Sequence, residues 1–225
     1  MAESELEGAE PQETGRHEPG AQPRGRLRCR ALLDAAADLF VEKGYAATSL
    51  TEILERAGGS RATLYKHFGD KEGLFRTMME EHCAQILETM VVRRESDGTD
   101  RPEERLFQLG MQISDTLVSQ QTIAILRTLV SEGARIPDIV ESFFRIGPQQ
   151  TNGRITDYFL ELAEAGLIAV DSPQSAAQAF TGMIAGNLLM RRLILPEEAI
   201  PRADTEAYVR SAVHLFLQGA APQSG

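Results

Sequence analysis

The sequence predicts an all-α fold, on three observations. Apolar residues recur at helical spacing almost throughout, and no convincing run alternates as a strand would. Ser, Asp and Pro stand where such segments begin and Gly where several end, as helix starts and stops require. The chain has 225 residues, is 42% hydrophobic and lacks Trp, enough for one large or two small helical units with a real core.

Taken in order, residues 1–23 are rich in Glu, Gly, Pro and Gln, and a disordered acidic tail is expected there. The start, MAESELEGAE, lacks the apolar core of a signal peptide. The next stretch, PRGRLRCR, is abruptly basic, with Arg24, Arg26, Arg28 and Arg30. It reads either as a solvated helix start or as an arm that touches phosphates or a minor groove. A first helix is expected over 27–43, with Leu32, Leu33, Ala36, Leu39 and Phe40 on one stripe and Gly44 as its stop. A second begins after Ser49, which forms an S-x-x-E capping box with Glu52 and buries Leu50, Ile53, Leu54 and Ala57. Gly58 and Gly59 make a turn, and Ser60 suits the N-cap of a third helix ending near His67. Asp70 caps a fourth helix expected to run to about Arg93. Residues 96–102, SDGTDRP, are a loop. Further helices are expected over 102–119, 121–134, 137–146, 148–165, 173–194 and 204–218, with Pro102, Pro137, Pro148 and Pro173 at or near first positions.

Two short helices joined by a tight turn are what a helix-turn-helix needs: one braces, the other enters the major groove. Leu64 and Phe68, four residues apart, point together toward Ile53, Ala57 and Phe40. That leaves Arg61, Ala62, Thr63, Lys66 and His67 for the groove. Arg matches guanine O6 and N7, and the methyls of Thr and Ala meet the thymine methyl. Tyr65, His67, Ser60, Thr48 and Lys71 are candidates for phosphate. Singly, each has an ordinary reading as a satisfied surface side chain; their joint occurrence on one helix and its neighbours carries the argument.

Net charge is −10, which at first opposes a polyanionic partner. Its distribution does not. Residues 24–82 hold 10 basic and 9 acidic side chains, against 1 and 6 in 1–23 and 12 and 18 in 83–225. The helix-turn-helix segment alone escapes the negative excess, and phosphate contacts depend on local charge.

The stretch LLDAAADLFVEKGYAATSLTEILERAGGSRATLYKHFGDKEGLF, residues 32–75, closely resembles the N-terminal domain of the TetR family of bacterial transcriptional regulators, especially its AcrR-like branch. The matching pieces are the first-helix packing, the GY-x-A-T start, the ERAG-x-S turn, the LY-x-HF recognition helix and the K-E-x-LF follow-on. Gly59 departs from the pattern, which usually has Val or another apolar residue there. The resemblance implies phosphate contacts at Thr48, Ser60, Arg61, Tyr65, His67 and Lys71, and base reading by Arg61, Ala62, Thr63 and Lys66. Residues 126–148, LRTLVSEGARIPDIVESFFRIGP, with FTGMIAGNLLMRRLI further on, resemble the C-terminal domain of AefR-like members. The implied plan is an acidic tail over 1–23, a three-helix helix-turn-helix DNA-binding domain over 24–75, a helical ligand-binding and dimerisation domain over 76–218, and a disordered tail over 219–225.

By the same resemblance the protein is a homodimer on a near-palindromic operator, acting as a repressor and released by a small-molecule effector. Two-fold dimers read half-sites about 34 Å apart, or a multiple. The helices at 148–165 and 173–194 are the expected seam, since Ala179, Gly182, Ala185 and Gly186 permit close approach. Phe107, Met111, Leu126, Phe143, Phe144, Tyr158 and Met183 are pocket candidates, with Gln112, Arg127, Asn152 and Asn187 as polar ones. Such residues serve equally as ordinary core, so no ligand contact is assigned.

Other classes find little support. No nucleophile elbow, phosphate-cradling Gly loop, Cys/His cluster or H-x-x-x-H pair appears, so neither an enzyme nor a metal or other cofactor is expected. Glu80, Glu81 and His82 read as a solvated helix face. No apolar run approaches the roughly 20 residues of a membrane span. Cys29 and Cys83 read as reduced thiols of a cytoplasmic protein. Their sharper alternative is a redox-sensing regulator that acts through one of them.

Overall fold

The computed structural model describes residues 21–90, 101–195 and 199–219. These form α1 (Ala21–Lys43), α2 (Leu50–Ala57), α3 (Arg61–Phe68), α4 (Lys71–Thr89), α5 (Pro102–Val118), α6 (Gln120–Glu132), α7 (Pro137–Ile146), α8 (Pro148–Glu164), α9 (Pro173–Ile194) and α10 (Arg202–Gly219), with no strand among the described residues. The all-α expectation holds, and α7 and α9 have the expected bounds. Residues 1–20, 196–198 and 220–225 lie outside the described residues, as do residues 91–100, where the expected end of α4 and most of the expected loop fall.

Two boundaries differ instructively. α1 starts at Ala21, six residues before the expected Leu27. Pro23 is no obstacle in a first turn, where its missing N–H would have no intrahelical acceptor. α4 stops at Thr89, where the Met90 N–H closes the last turn on Ile86 O.

Caps set the helix-turn-helix. The Glu52 N–H donates to Ser49 Oγ (3.2 Å) and the Ser49 N–H donates to Glu52 Oε2 (2.9 Å), the reciprocal box that the sequence spacing implied. Lys43 and the Ser49 bonds hold the Glu52 carboxyl down at about 2, so the cap stays ionised across ordinary pH. Gly58 closes α2 at φ 64°, a left-handed conformation that favours glycine. Ser60 caps α3 through the Thr63 N–H (3.2 Å), and Asp70 caps α4 through the Gly73 N–H (2.8 Å). A Cβ at Gly73 would lie 1.9 Å from Phe68 O, so only glycine lets α4 begin this close behind α3. Gly59 lacks a positive φ, and a Cβ there would meet Leu32 Cδ2 at 3.2 Å; the position that departs from the family pattern faces the core.

The buried side chains separate into two clusters. The first joins α1 to α4: Leu32, Leu39, Phe40, Ile53, Leu64, Leu74, Phe75 and Met79. Phe68 and Ala57 pack at its edge, as the spacing of Leu64 and Phe68 implied. It also takes Ile125 and Leu129 of α6 and Ile136 and Ile139 at α7. The second unites α5, α8, α9 and α10 around Phe159, Phe180 and Phe216, whose ring centroids lie 5.1–5.8 Å apart. The expected division between residues 75 and 76 thus falls inside α4, and the helix-turn-helix head is packed against α6 and α7 as well as its own helices.

α4 is clasped by α6, α7 and α8 of the other half and by α1 of its own. Ser142 Oγ of α7 donates to Glu80 Oε1 (2.8 Å), and His82 Nε2 lies 2.8 Å from Thr122 Oγ1 of α6. Arg154 of α8 donates to the Leu87 carbonyl, and Arg30 of α1 pairs with Glu81 at 3.1 Å. Glu80, Glu81 and His82 are therefore fastenings between helices rather than a solvated face. No cluster able to hold a metal occurs among the described residues.

His82 supplies a pH prediction. Burial lowers its pKa from the ordinary 6.5. Below that value the unfolded chain binds a proton that the folded chain does not, so stability falls as pH drops through this window. Thermal melts of His82→Gln are expected to lose part of the wild-type decline in melting temperature between about pH 6.5 and 5. An identical decline in both proteins would contradict it.

Candidate nucleic-acid interface

The outward face of α3 carries Arg61, Ala62, Tyr65 and Lys66, all exposed, while Leu64 is fully buried beneath them. The helix holds no acidic residue. His67 is also exposed, its ring 6.4 Å from that of Phe68, and Thr63 is half-buried. Ser60 sits at the N-terminus with its Oγ 2.9 Å from Thr63 Oγ1. Arg61 reaches back to brace against α2, donating to Thr51 Oγ1 at 3.2 Å.

Nearby acidic side chains are largely spoken for. Glu52 pairs with Lys43 at 2.5 Å, and Glu42 takes two bonds from Arg56 at 2.7 and 2.8 Å. The hydrogen bonds from Arg56 hold the Glu42 carboxyl below its ordinary pKa. Arg61 and Lys66 have no ion-pair partner among the described residues, so their charge faces outward uncompensated. This arrangement suits a phosphate backbone and a row of base edges.

Two candidates are less open. Lys71 is half-buried at the start of α4; its Nζ donates to Ala46 O at 3.4 Å and lies 4.3 Å from the centroid of the Tyr45 ring. Burial lowers its pKa. Thr48 is only 2% exposed, and its hydroxyl lies 2.9 Å from Gly44 O and 3.2 Å from Leu39 O. The structure does not bring that hydroxyl to the surface. Thr48 instead ties the loop before α2 to the end of α1. Replacing it by Val should cost about 1–2 kcal/mol, the loss of a buried hydrogen bond, read as a lower melting temperature. Unchanged stability would mean that the tie contributes nothing.

A groove beside α3 was not singled out from the sequence. It holds about 710 Å³ and is lined by Gly25, Arg26, Cys29, Arg30 and Leu33 of α1, Lys66 and His67 of α3, and Glu81. Only the basic run before residue 31 hinted at it.

The pocket candidates divide. Phe107, Met111 and Tyr158 are buried in the second core with Met183 at its edge. Phe143 packs on the first core beside α4, Phe144 is exposed and Leu126 is half-buried on α6. Gln112 Oε1 is buried without a partner among the described residues. Asn152 Oδ1 accepts from Thr181 and Arg127 donates to Leu193 O; the Asn187 side chain is outside the described residues. Cys83 is buried, and burial pushes its thiol up to about 11. Cys29 is half-buried in the groove. No helix among the described residues is long and apolar enough to cross a membrane.

Known proteins match both halves. Residues 32–78 match the model of bacterial regulatory proteins of the TetR family, and residues 104–219 match that of the C-terminal domain of AefR-like transcriptional repressors. The HTH-type transcriptional regulator YvkB of Bacillus subtilis is 28% identical over 193 residues, 84% of this chain and 95% of that protein. The HTH-type transcriptional repressor ComR of Escherichia coli is 46% identical over 52 residues, 23% of this chain and 25% of its own length. Among solved structures, a TetR-family regulator from Mesorhizobium loti superposes with a TM-score of 0.77 at 24% identity, covering 88% of this chain and 98% of that one. The flavonoid-responsive regulator FrrA gives 0.70 at 28% identity, covering 89% and 100%. With the exposed basic face of α3 braced on α2, and both halves matched in order, this chain belongs to the TetR family of DNA-binding bacterial transcriptional regulators.

Proposed function

We propose that the protein is a cytoplasmic homodimeric repressor that binds a near-palindromic operator through α3 and lets go when a small molecule enters its C-terminal half. The observation that carries this is the α3 face, where Arg61 and Lys66 stand exposed over buried Leu64 with no acidic side chain on the helix. Arg61, Ala62, Thr63 and Lys66 are the proposed base readers. Ser60, Tyr65, His67 and Lys71 are the proposed phosphate contacts, with Thr48 holding the loop behind them.

The dimer seam is proposed on the outer faces of α8 and α9. Leu160, Met190 and Ile194 are exposed there, and Gly153, Gly182 and Gly186 have open space where a Cβ would stand. Small residues between apolar ones suit the close helix packing of a four-helix seam. Repression is favoured by the names of the matched AefR-like domain and of ComR. The flavonoid response in the name of FrrA favours a small-molecule effector, without passing on its identity. Buried Gln112 Oε1 supports placing the effector in the second core, since an unpaired acceptor there invites a donor.

The effector must bind two states with different affinity; about 2 to 3 kcal/mol of coupling lowers operator affinity on the order of 100-fold. The direct test is fluorescence anisotropy on duplexes tiled across the region upstream of the protein's own gene, at two salt concentrations. Tight, salt-weakened binding to one near-palindromic segment is expected. Uniformly weak binding there, with no enriched site in a genome-wide pull-down, would overturn the reading.

A thiol switch is the second reading, and the position of Cys29 beside Lys66 and His67 favours it over one through Cys83. A thiol at about 11 is protonated near neutrality and nucleophilically inert. Oxidant-induced DNA release that survives replacement of both cysteines by Ser would remove it.

A further inference from the structure

The first turns of α1 carry a basic run whose helix continues well before Leu32, the first residue of the head's core. Successive helical residues are about 100° apart, so Arg26, Cys29, Arg30 and Leu33 share one face while Arg28 points away from it. That shared face is the wall of the groove whose other wall is Lys66 and His67 of the recognition helix. The charges inside are unequal. Arg30 is held by Asp34 at 2.9 Å and by Glu81 at 3.1 Å, which leaves the groove's lone carboxylate already paired. Arg26 is exposed and has no ion-pair partner among the described residues. Arg26, Lys66 and His67 thus line an open channel of about 710 Å³ with unbalanced positive charge, continuous with the face of α3.

We infer that this groove seats the sugar–phosphate strand flanking the bases read by α3, with Arg26 as a phosphate contact that none of the recognition-helix residues replaces. Arg30 is a positioning residue: its bond to Glu81 fixes the α1 extension against α4, its bond to Asp34 on the same helix holds the guanidinium in place for that contact, and together they fix where Arg26 stands. Arg28, on the opposite face, has no part in the contact. Since a phosphate is the same at every base pair, Arg26 adds affinity and salt dependence without adding sequence preference. The inference rests on the reading of α3 as the DNA-contacting helix.

The test uses the full chain and a mixed-sequence duplex of fixed length, titrated by anisotropy across about 50 to 200 mM salt. Arg26→Ala is expected to lower the slope of log affinity against log salt by about 1 for each Arg removed, hence about 2 per dimer. Arg26→Lys should restore the slope, and Arg28→Ala, the same change in net charge, should leave it as in wild type. Neither alanine variant should alter the melting temperature. Equal slopes for Arg26→Ala and wild type, or equal losses for Arg26→Ala and Arg28→Ala, would overturn the inference. Arg61→Ala with Lys66→Ala in the same titration separates the two readings. If it weakens binding while Arg26→Ala does not, only the groove assignment falls. If wild-type binding ignores salt, the reading of α3 falls first.

Discussion

Replacing Arg61 and Lys66 together by Ala is expected to weaken operator binding by about 100-fold or more, because each specific charged contact to a base is worth about 1–3 kcal/mol and a dimer makes both twice. The fold should not notice. Both side chains are exposed, and among the described residues the one side-chain hydrogen bond lost is that of Arg61 to Thr51 on the surface. Anisotropy gives the affinity, and a melting curve gives the control. Wild-type binding by the double variant would remove α3 from the interface. A large fall in melting temperature would show instead that these residues hold the head together.

The second large effect concerns the seam. Gly182→Glu with Gly186→Glu places four carboxylates across a two-fold interface if α9 packs on its counterpart. Within one protomer the change is mild: a Cβ at either position meets nothing within 4 Å, and leaving glycine in a helix interior favours the helix by about 0.5–1 kcal/mol. Sedimentation is expected to show a folded monomer, and operator affinity should drop by about two orders of magnitude as one head alone reads too few base pairs. A variant that sediments as a dimer would move the seam off α9.

The helix-turn-helix was legible in the sequence because its signals are local. The capping box at Ser49 and Glu52, the caps at Ser60 and Asp70 and the i, i+4 pair of Leu64 and Phe68 involve residues within one or two turns, and each stands where the spacing placed it. What failed to show was tertiary. Ile125, Leu129 and Ile139 form an ordinary apolar stripe whichever core they enter, so nothing in their spacing reveals that α6 and α7 complete the DNA-binding head. Phe143 and Phe144 look like pocket aromatics, yet one packs beside α4 and the other is exposed. Thr48 illustrates the same limit at one residue. Its type suits a phosphate contact, but the carbonyls that take up its hydroxyl come from Leu39 and Gly44, a closure visible only once the chain has turned.

That packing gives the proposed switch a physical route. α4 is fastened to α6 through His82 and Thr122, to α7 through Glu80 and Ser142, and to α8 through Arg154 and the Leu87 carbonyl. In the proposed switch, a ligand that repacked the second core would shift α8 against α9, and these fastenings would carry the displacement to the helix on which the recognition helix is seated. Both ends must bias one two-state element for that to be coupling rather than proximity.

The most direct measurement is a hydroxyl-radical footprint of the full-length protein on the operator found by tiling, read with the stoichiometry of the complex. Two protomers per site are expected, with protection on both strands related by a two-fold axis and major-groove contacts centred about 34 Å apart or a multiple of it. A single asymmetric patch, or one protomer per site, would contradict it.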